Sequence, residues 1–258
     1  MTSLTLYIVL YSSLVAYSHH TAAQETPPKQ LPPLEAYVVS YATPAIDGAL
    51  NDDAWNKTPF TTDFIQHDTG AIPSTRTRAK LLYDDACLYL GLETEDVDIF
   101  THFTRNGDPL FLRDDLTEIF IDPGSDGKNY IEIGVSASGH YYGMSIQEAR
   151  NGRVMPKSIA LKLATATAIK GSLNNAADKD SSWSVETCIP MSVIAENSKT
   201  SAAPNENANW SIGLYRIDYD HKTQKSKALG FYSWQYIGQF GFHRPERFGH
   251  VTFGKRPQ

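Results

Sequence analysis

The chain has 258 residues, 41% of them hydrophobic, enough to bury a full core within a single β-rich domain. Its formal charge is −6 and its Lys and Arg residues are scattered, which leaves no basic tract for a nucleic-acid backbone. Two cysteines, without a CxxC or a His/Cys cluster, argue against a zinc site.

The first 23 residues hold no Asp, Glu, Lys or Arg, and an apolar run from Leu4 to Tyr17 leads into Thr21-Ala22-Ala23. Residues 1–23 therefore read as a secretory signal cleaved near Ala23, although the usual positive charge at its start is missing. The run is short for a membrane span, and Tyr and Ser interrupt it. The mature chain is thus expected to have no span and to be secreted, periplasmic or held at the cell surface. Residues 24–36 form a Pro-rich linker, extended and exposed because proline runs favour polyproline geometry. The remainder, 37–258, reads as one domain.

Within it, short apolar runs alternate with turn signals. Strands are expected at 36–41, 77–82 and 87–93, the last two joined as a hairpin through Tyr83-Asp84-Asp85. Residues 47–52 form a turn running into Ala54-Trp55. The stretch from Arg113 to Pro123 holds four carboxylates, and its second half is a strand, 118–122, in which Ile119 and Ile121 alternate with Glu118, Phe120 and Asp122. Pro123 cannot donate to a ladder, and Gly124-Ser125-Asp126-Gly127 supplies the turn. Further strands follow at 130–135, 141–147, 159–168, 182–189, 210–219 and 248–253, with one short helix at 190–194 and a polar loop at 198–209. Many strands at roughly 8–12-residue spacing and few short helices argue for an all-β, antiparallel β-sandwich. Cys87 and Cys188, both in strand-like segments, can pair in an exported protein or stay as buried thiols.

Six segments in order carry a resemblance. They are 44–55 (Pro-Ala-Ile-Asp-Gly-Ala-Leu-Asn-Asp-Asp-Ala-Trp), Leu82-Tyr83-Asp84-Asp85 with Leu88-Tyr89, and 114–122. Trp183-Ser184-Val185-Glu186 with Ile189-Pro190 follows, then Trp210 with Tyr215-Arg216-Ile217-Asp218, and finally Ser233-Trp234 with Pro245-Glu246-Arg247-Phe248-Gly249. Together they resemble the family 9 carbohydrate-binding modules and their family-9-like relatives. The resemblance implies an immunoglobulin-like or jelly-roll β-sandwich that binds sugars, often at the ends of plant polysaccharide chains. In that family two Trp rings sandwich a terminal sugar while polar side chains fix its hydroxyls. Glu118 matches the family's Glu, but the Trp positions here are Leu112, beside Phe111, and Phe242, and an Arg expected on the next strand falls near Gly134.

The candidate sugar-binding residues are Phe111, Arg113, Asp115, Glu118, Arg216, Trp234, Phe242, His243 and Arg244. Ionised Asp115 and Glu118 are strong acceptors for hydroxyls; equally, Asp115 can cap backbone amides and Glu118 can pair with an arginine. Arg216 can serve a ligand or neutralise Glu118. Phe242, His243 and Arg244 lie in a Gly-containing loop, where rings suit pyranose faces and His or Arg donates to hydroxyls; alternatively Phe240 and Phe242 cover the sandwich end. Trp234 stands between Tyr232 and Tyr236, alternation placing all three on one strand face as a platform or as packing. Trp55, Trp183 and Trp210 fill the core.

The function expected is an exported, non-catalytic protein that recognises a plant- or algal-type polysaccharide or oligosaccharide without a cofactor. The acid-rich loop 122–126 offers oxygen ligands for calcium, although its spacing is not that of an EF-hand. One alternative is a haem-binding redox domain on a related sandwich, with Met144 as an axial ligand. Another is a polysaccharide-active hydrolase or lyase using Asp115 and Glu118, or His243, which needs two carboxylates about 5–10 Å apart across a cleft.

Overall fold

The computed structural model describes residues 31–200, 204, 206–219 and 228–256. The expected signal (1–23) and most of the linker lie outside the described residues, and 31–35 carry no regular element. Thirteen strands follow: β1 Ala36–Tyr41, β2 Ile65–Gln66, β3 Thr77–Tyr83, β4 Cys87–Glu95, β5 Leu116–Asp122, β6 Lys128–Ser136, β7 Tyr141–Glu148, β8 Lys157–Ser158, β9 Ala164–Lys170, β10 Ser182–Pro190, β11 Asn209–Tyr219, β12 Ala228–Ser233 and β13 Gly249–Phe253. The helix α1 (Met191–Ser198) and single 3-10 turns at Trp55–Lys57, Leu110–Leu112 and Pro245–Arg247 complete the described elements.

The strands form one curled sheet in the order β8-β7-β6-β5-β11-β13-β1-β3-β4-β10-β9, with β12 and β2 branching from β11. Alternating side chains from both halves meet in a shared core that includes Val39, Leu81, Leu90, Ile119, Ile121, Ile133, Trp183, Trp210 and Leu214. A second apolar layer lies on the opposite face of β5, β6, β7 and β11. It holds Phe120, Tyr130, Tyr142 and Tyr215, covered by Leu110, Ile237, Phe242 and Phe248. That cover explains why strand 116–122 is buried throughout although only alternate residues reach the central core.

Three expectations are corrected. The sheet is mixed, because β1 runs parallel to both β13 and β3, while the other strand pairings described are antiparallel. Residues 36–39 pair with β13 and Ser40 and Tyr41 with β3, so β1 changes partner midway and joins the two halves. Periodicity carries no information about strand direction. Residues 159–163 are not strand: they cross from β8 at one edge to β9 at the other, and Ile159, Leu161 and Leu163 close the core between them. Finally, β12 ends at Ser233, so Trp234 and Tyr236 do not share a strand face with Tyr232.

Two devices reinforce the β4–β10 side of the sheet. Cys87 and Cys188 form a disulfide between β4 and β10, with their Cα atoms 5.5 Å apart. Glu186 on β10 accepts Asp47 N–H at 2.8 Å and Gly48 N–H at 2.7 Å through Oε2, and Trp55 Nε1–H at 2.6 Å through Oε1. One carboxylate thus satisfies three donors of the 47–55 turn, a buried charge held by hydrogen bonds as burial requires.

Candidate functional site

On the face of β5 turned away from the shared core, Glu118 stands between two register neighbours, Tyr215 of β11 and Gly134 of β6. Gly134 in turn faces Tyr142 of β7, and a Cβ at Gly134 would lie 2.2 Å from the Tyr142 ring. The missing side chain therefore lets Tyr142 lie across β6. Its hydroxyl reaches Glu118 Oε1 at 2.5 Å and Glu132 Oε1 at 2.6 Å. A phenol has one hydrogen, so at one of these contacts a protonated carboxyl must donate to the phenol oxygen. Burial raises both carboxyls well above the usual range, and the neighbouring Glu132 charge raises Glu118 further. The network extends outward. Glu132 Oε2 lies 3.6 Å from His243 Nε2, and Tyr130 hydroxyl is 2.9 Å from His243 Nδ1. Burial lowers His243 to about 4, so its imidazole is neutral near pH 7.

Aromatic rings flank this carboxyl pair. Phe242 stacks on Tyr215, with ring centroids 4.2 Å apart and planes 12° from parallel. Phe111 meets Tyr142 edge-on at 5.5 Å. The loop after β12 and the Leu110–Leu112 turn therefore bring Phe242 and Phe111 to opposite sides of Glu118. Glu118 itself is 3% exposed, under Tyr142.

The structure brings Phe111, Glu118, Phe242 and His243 together, with Arg244 at the edge of the same loop. Arg244 lies flat on Gly152 in the β7–β8 turn, and its Nε is buried without a hydrogen-bond partner. Arg113 closes the Leu110–Leu112 turn, with its N–H on Leu110 O and its Nε likewise buried and unpaired. Leu112, at the other family Trp position, is exposed.

Asp115, Arg216 and Trp234 lie elsewhere. Asp115 Oδ2 accepts Phe100 N–H and Oδ1 accepts Tyr219 N–H, both at 2.7 Å. Arg216 faces the shared core, since Arg216 pairs in register with Thr117 while Glu118 pairs with Tyr215. It cannot neutralise Glu118; its Nη2 lies instead 2.9 Å from Asp96 and 3.3 Å from Asp218. Asp115, just before β5, therefore lies with Asp96 and Asp218, whereas Glu118 lies on the face of β5 turned away from the shared core. Trp234 is 2% exposed, edge-on to Tyr37, and donates through Nε1 to Glu35 at 3.0 Å. A groove of about 340 Å³ beside it, lined by Glu35, Val38, Phe60 and Thr62 among others, shares no residue with the Glu118 face.

Asp96, Asp115 and Asp218 offer carboxylate oxygens within 4.8 Å of one another. The Arg216 guanidinium already supplies their positive charge, and both Asp115 oxygens hold amides, so the cluster fits a guanidinium more closely than a metal ion. In the 122–126 loop, Asp122 Oδ2 accepts Gly127 N–H and Asp126 Oδ1 accepts Lys128 N–H, so these carboxylates shape their own turn. Met144 is half-buried beside Glu132 and packs on the aromatic layer. Glu132, Tyr142 and Tyr130 escaped the sequence reading. For Tyr130 and Glu132 the one local signal is their alternation with Ile131 and Ile133, Tyr142 has none, and only strand register shows what all three meet.

A family profile described as carbohydrate family 9 binding domain-like matches residues 46–256. Among solved structures, the chain is similar to a family 9 carbohydrate binding module from Caldicellulosiruptor kristjanssonii in complex with cellotriose, with TM-score 0.58, 18% identity, and coverage of 86% of this chain and 95% of that one. A structure of such a module from the same organism in complex with glucose gives TM-score 0.57, 18% identity and coverage of 86% and 97%. A protein from Bacteroides uniformis gives TM-score 0.64, 16% identity and coverage of 86% and 100%. At these identities the likeness is one of fold. No curated protein matches the chain.

Proposed function

The chain belongs to the carbohydrate family 9 binding domain-like family, and on that premise we propose that it is an exported, non-catalytic protein that binds a plant- or algal-type polysaccharide or oligosaccharide. The observation that carries the proposal is the carboxyl pair Glu118/Glu132 flanked by Phe111 and Phe242. Rings give apolar surface for the C–H faces of a pyranose, and carboxyl groups fix its hydroxyls, which is the chemistry a sugar site needs. The Tyr142 hydroxyl holds the place between the carboxyls that a sugar hydroxyl would take, so the bound form requires Tyr142 to turn aside. The curled sheet is, on this reading, an immunoglobulin-like or jelly-roll sandwich, and the charge-free segment 1–23 directs export.

Titration calorimetry of the full chain against a glycan panel that includes cellotriose tests the proposal. At least one glycan is expected to bind, with affinity falling about tenfold or more in Phe242→Ala and Phe111→Ala, the loss of roughly 1.4 kcal/mol of ring contact. A folded protein that gives no heat with any glycan of the panel overturns it. An N-terminus beginning near residue 24 in material recovered outside the cytoplasm is the expected sign of export.

A further inference from the structure

The β7–β8 turn gathers arginines that the carboxyl network does not use. Arg150 and Arg153 pair across the turn, N–H to O at 2.9 and 3.0 Å, with Gly152 between them. The Arg244 guanidinium rests on that glycine: a Cβ there would meet its Nη2 at 2.8 Å and Cζ at 2.9 Å. Only Arg150 of the three has an acidic partner among the described residues, Glu148 at 2.8 Å. Arg153 and Arg244 have none, although the chain as a whole carries −6. Arg244 also keeps a buried Nε–H with no acceptor. A buried donor of this kind is unfavourable while nothing accepts from it.

The position of these arginines is what gives them a use. Arg244 follows Phe242 and His243 in the chain, and Val154, next to Arg153, packs on the aromatic layer to which Phe242 belongs. The arginines therefore form a rim beside the candidate sugar site. A guanidinium fork binds a carboxylate or sulfate through two parallel N–H bonds, and the exposed Arg153 offers such a fork beside Arg244.

We propose that the saccharide recognised here is anionic, carrying a uronate carboxylate or a sulfate ester that is received by Arg244 and Arg153. The proposal rests on the carbohydrate-binding reading and adds the ligand's charge to it. Neutral chains would occupy the aromatic faces alone; anionic ones would also engage the rim.

Calorimetry of the full chain against a trigalacturonate, a sulfated galactan trisaccharide and neutral cellotriose, each at low and high salt, tests it. One of the two anionic probes is expected to bind at least about tenfold tighter than cellotriose, the worth of one charged hydrogen-bond pair, and the advantage should shrink as salt screens it. Which anionic probe wins distinguishes uronate from sulfate. Arg244→Gln and Arg153→Gln should each reduce that advantage, and Arg244→Lys should restore it only in part, because an ammonium lacks the fork. Arg153 is exposed, so its variant reports even if the half-buried Arg244 variants unfold. If cellotriose binds as tightly as both anionic probes, or if the arginine variants keep the full preference, the proposal fails while carbohydrate binding stands. If no probe and no panel glycan binds, both fail.

Discussion

Glu118 is the residue around which the chemistry turns, and its state is set by neighbours it does not meet in sequence. Burial, and then the Glu132 charge, move it from its ordinary 4.5 to about 8, while burial moves Glu132 to about 7. A carboxyl raised in the folded state holds its proton more tightly there than in the unfolded chain. Its contribution to stability is therefore complete below about pH 4.5 and is lost as pH rises through about 7 to 8. His243, lowered to about 4, works in the opposite sense: its contribution is lost as pH falls from 6.5 toward 4. Urea midpoints are thus expected to decline from mildly acidic to mildly alkaline pH. Glu118→Gln, an isostere of the protonated acid, should flatten that decline and leave the variant relatively more stable near pH 9, by about 1 kcal/mol or more. Parallel curves for the two proteins would show that the proton is not held at this pair.

At the scale of elements, the site is a product of register across β5, β6 and β7. Glu118, Gly134 and Tyr142 lie in one row of the ladder, and the glycine is what lets the tyrosine cross to the carboxyls. Gly134→Ala should push the ring aside, because the new Cβ cannot coexist with it. Overpacking of this sort costs about 1–3 kcal/mol, so a lower unfolding free energy together with a changed tyrosine signal in near-ultraviolet circular dichroism is expected. An unchanged spectrum would mean that Tyr142 does not occupy this place. At Gly134, where the resemblance led to an expected arginine, the structure has Tyr142 of the next strand reaching across the glycine.

At the scale of the whole molecule, Arg216 ties the two halves of the curled sheet. From β11 its Nη1 reaches Thr75 at 3.3 Å, Thr77 at 3.4 Å and Glu95 O at 3.2 Å, while its Nη2 reaches Asp96 at 2.9 Å. The Trp183 Nε1–H donates to the same Asp96 oxygen at 3.1 Å. Removing the guanidinium leaves the clustered carboxyls of Asp96, Asp115 and Asp218 buried without their shared cation. Arg216→Ala is expected to cost about 3–5 kcal/mol in urea unfolding, the usual result of breaking a buried ion pair by deleting one member. A loss below about 1 kcal/mol would place the tie elsewhere. This separates a structural acid cluster in the core from the carboxyl pair on the opposite face, although one member of each, Asp115 and Glu118, falls in the same short stretch of sequence.

Consecutive residues were enough for every feature that depends on local pattern. Alternation around Ile119 and Ile121 set the strand, put Glu118 and Phe120 on one face, and Pro123 with Gly124 ended it. The hairpin at Tyr83-Asp84-Asp85 and the turn before Trp55 were legible for the same reason. Tertiary structure decided what each face meets. That Arg216 turns from Glu118 toward Asp96, that Tyr142 reaches across Gly134, that Cys87 joins Cys188, and that Arg244 rests on Gly152 all depend on register between distant segments. Residues 159–163 show the limit most plainly, since their alternation is that of a strand while their place is a crossover. Periodicity tells a residue's side of the chain, but only the pairing of strands fixes which charge, ring or gap stands opposite, and so the carboxyl pair and its arginine rim came into view only in the folded molecule.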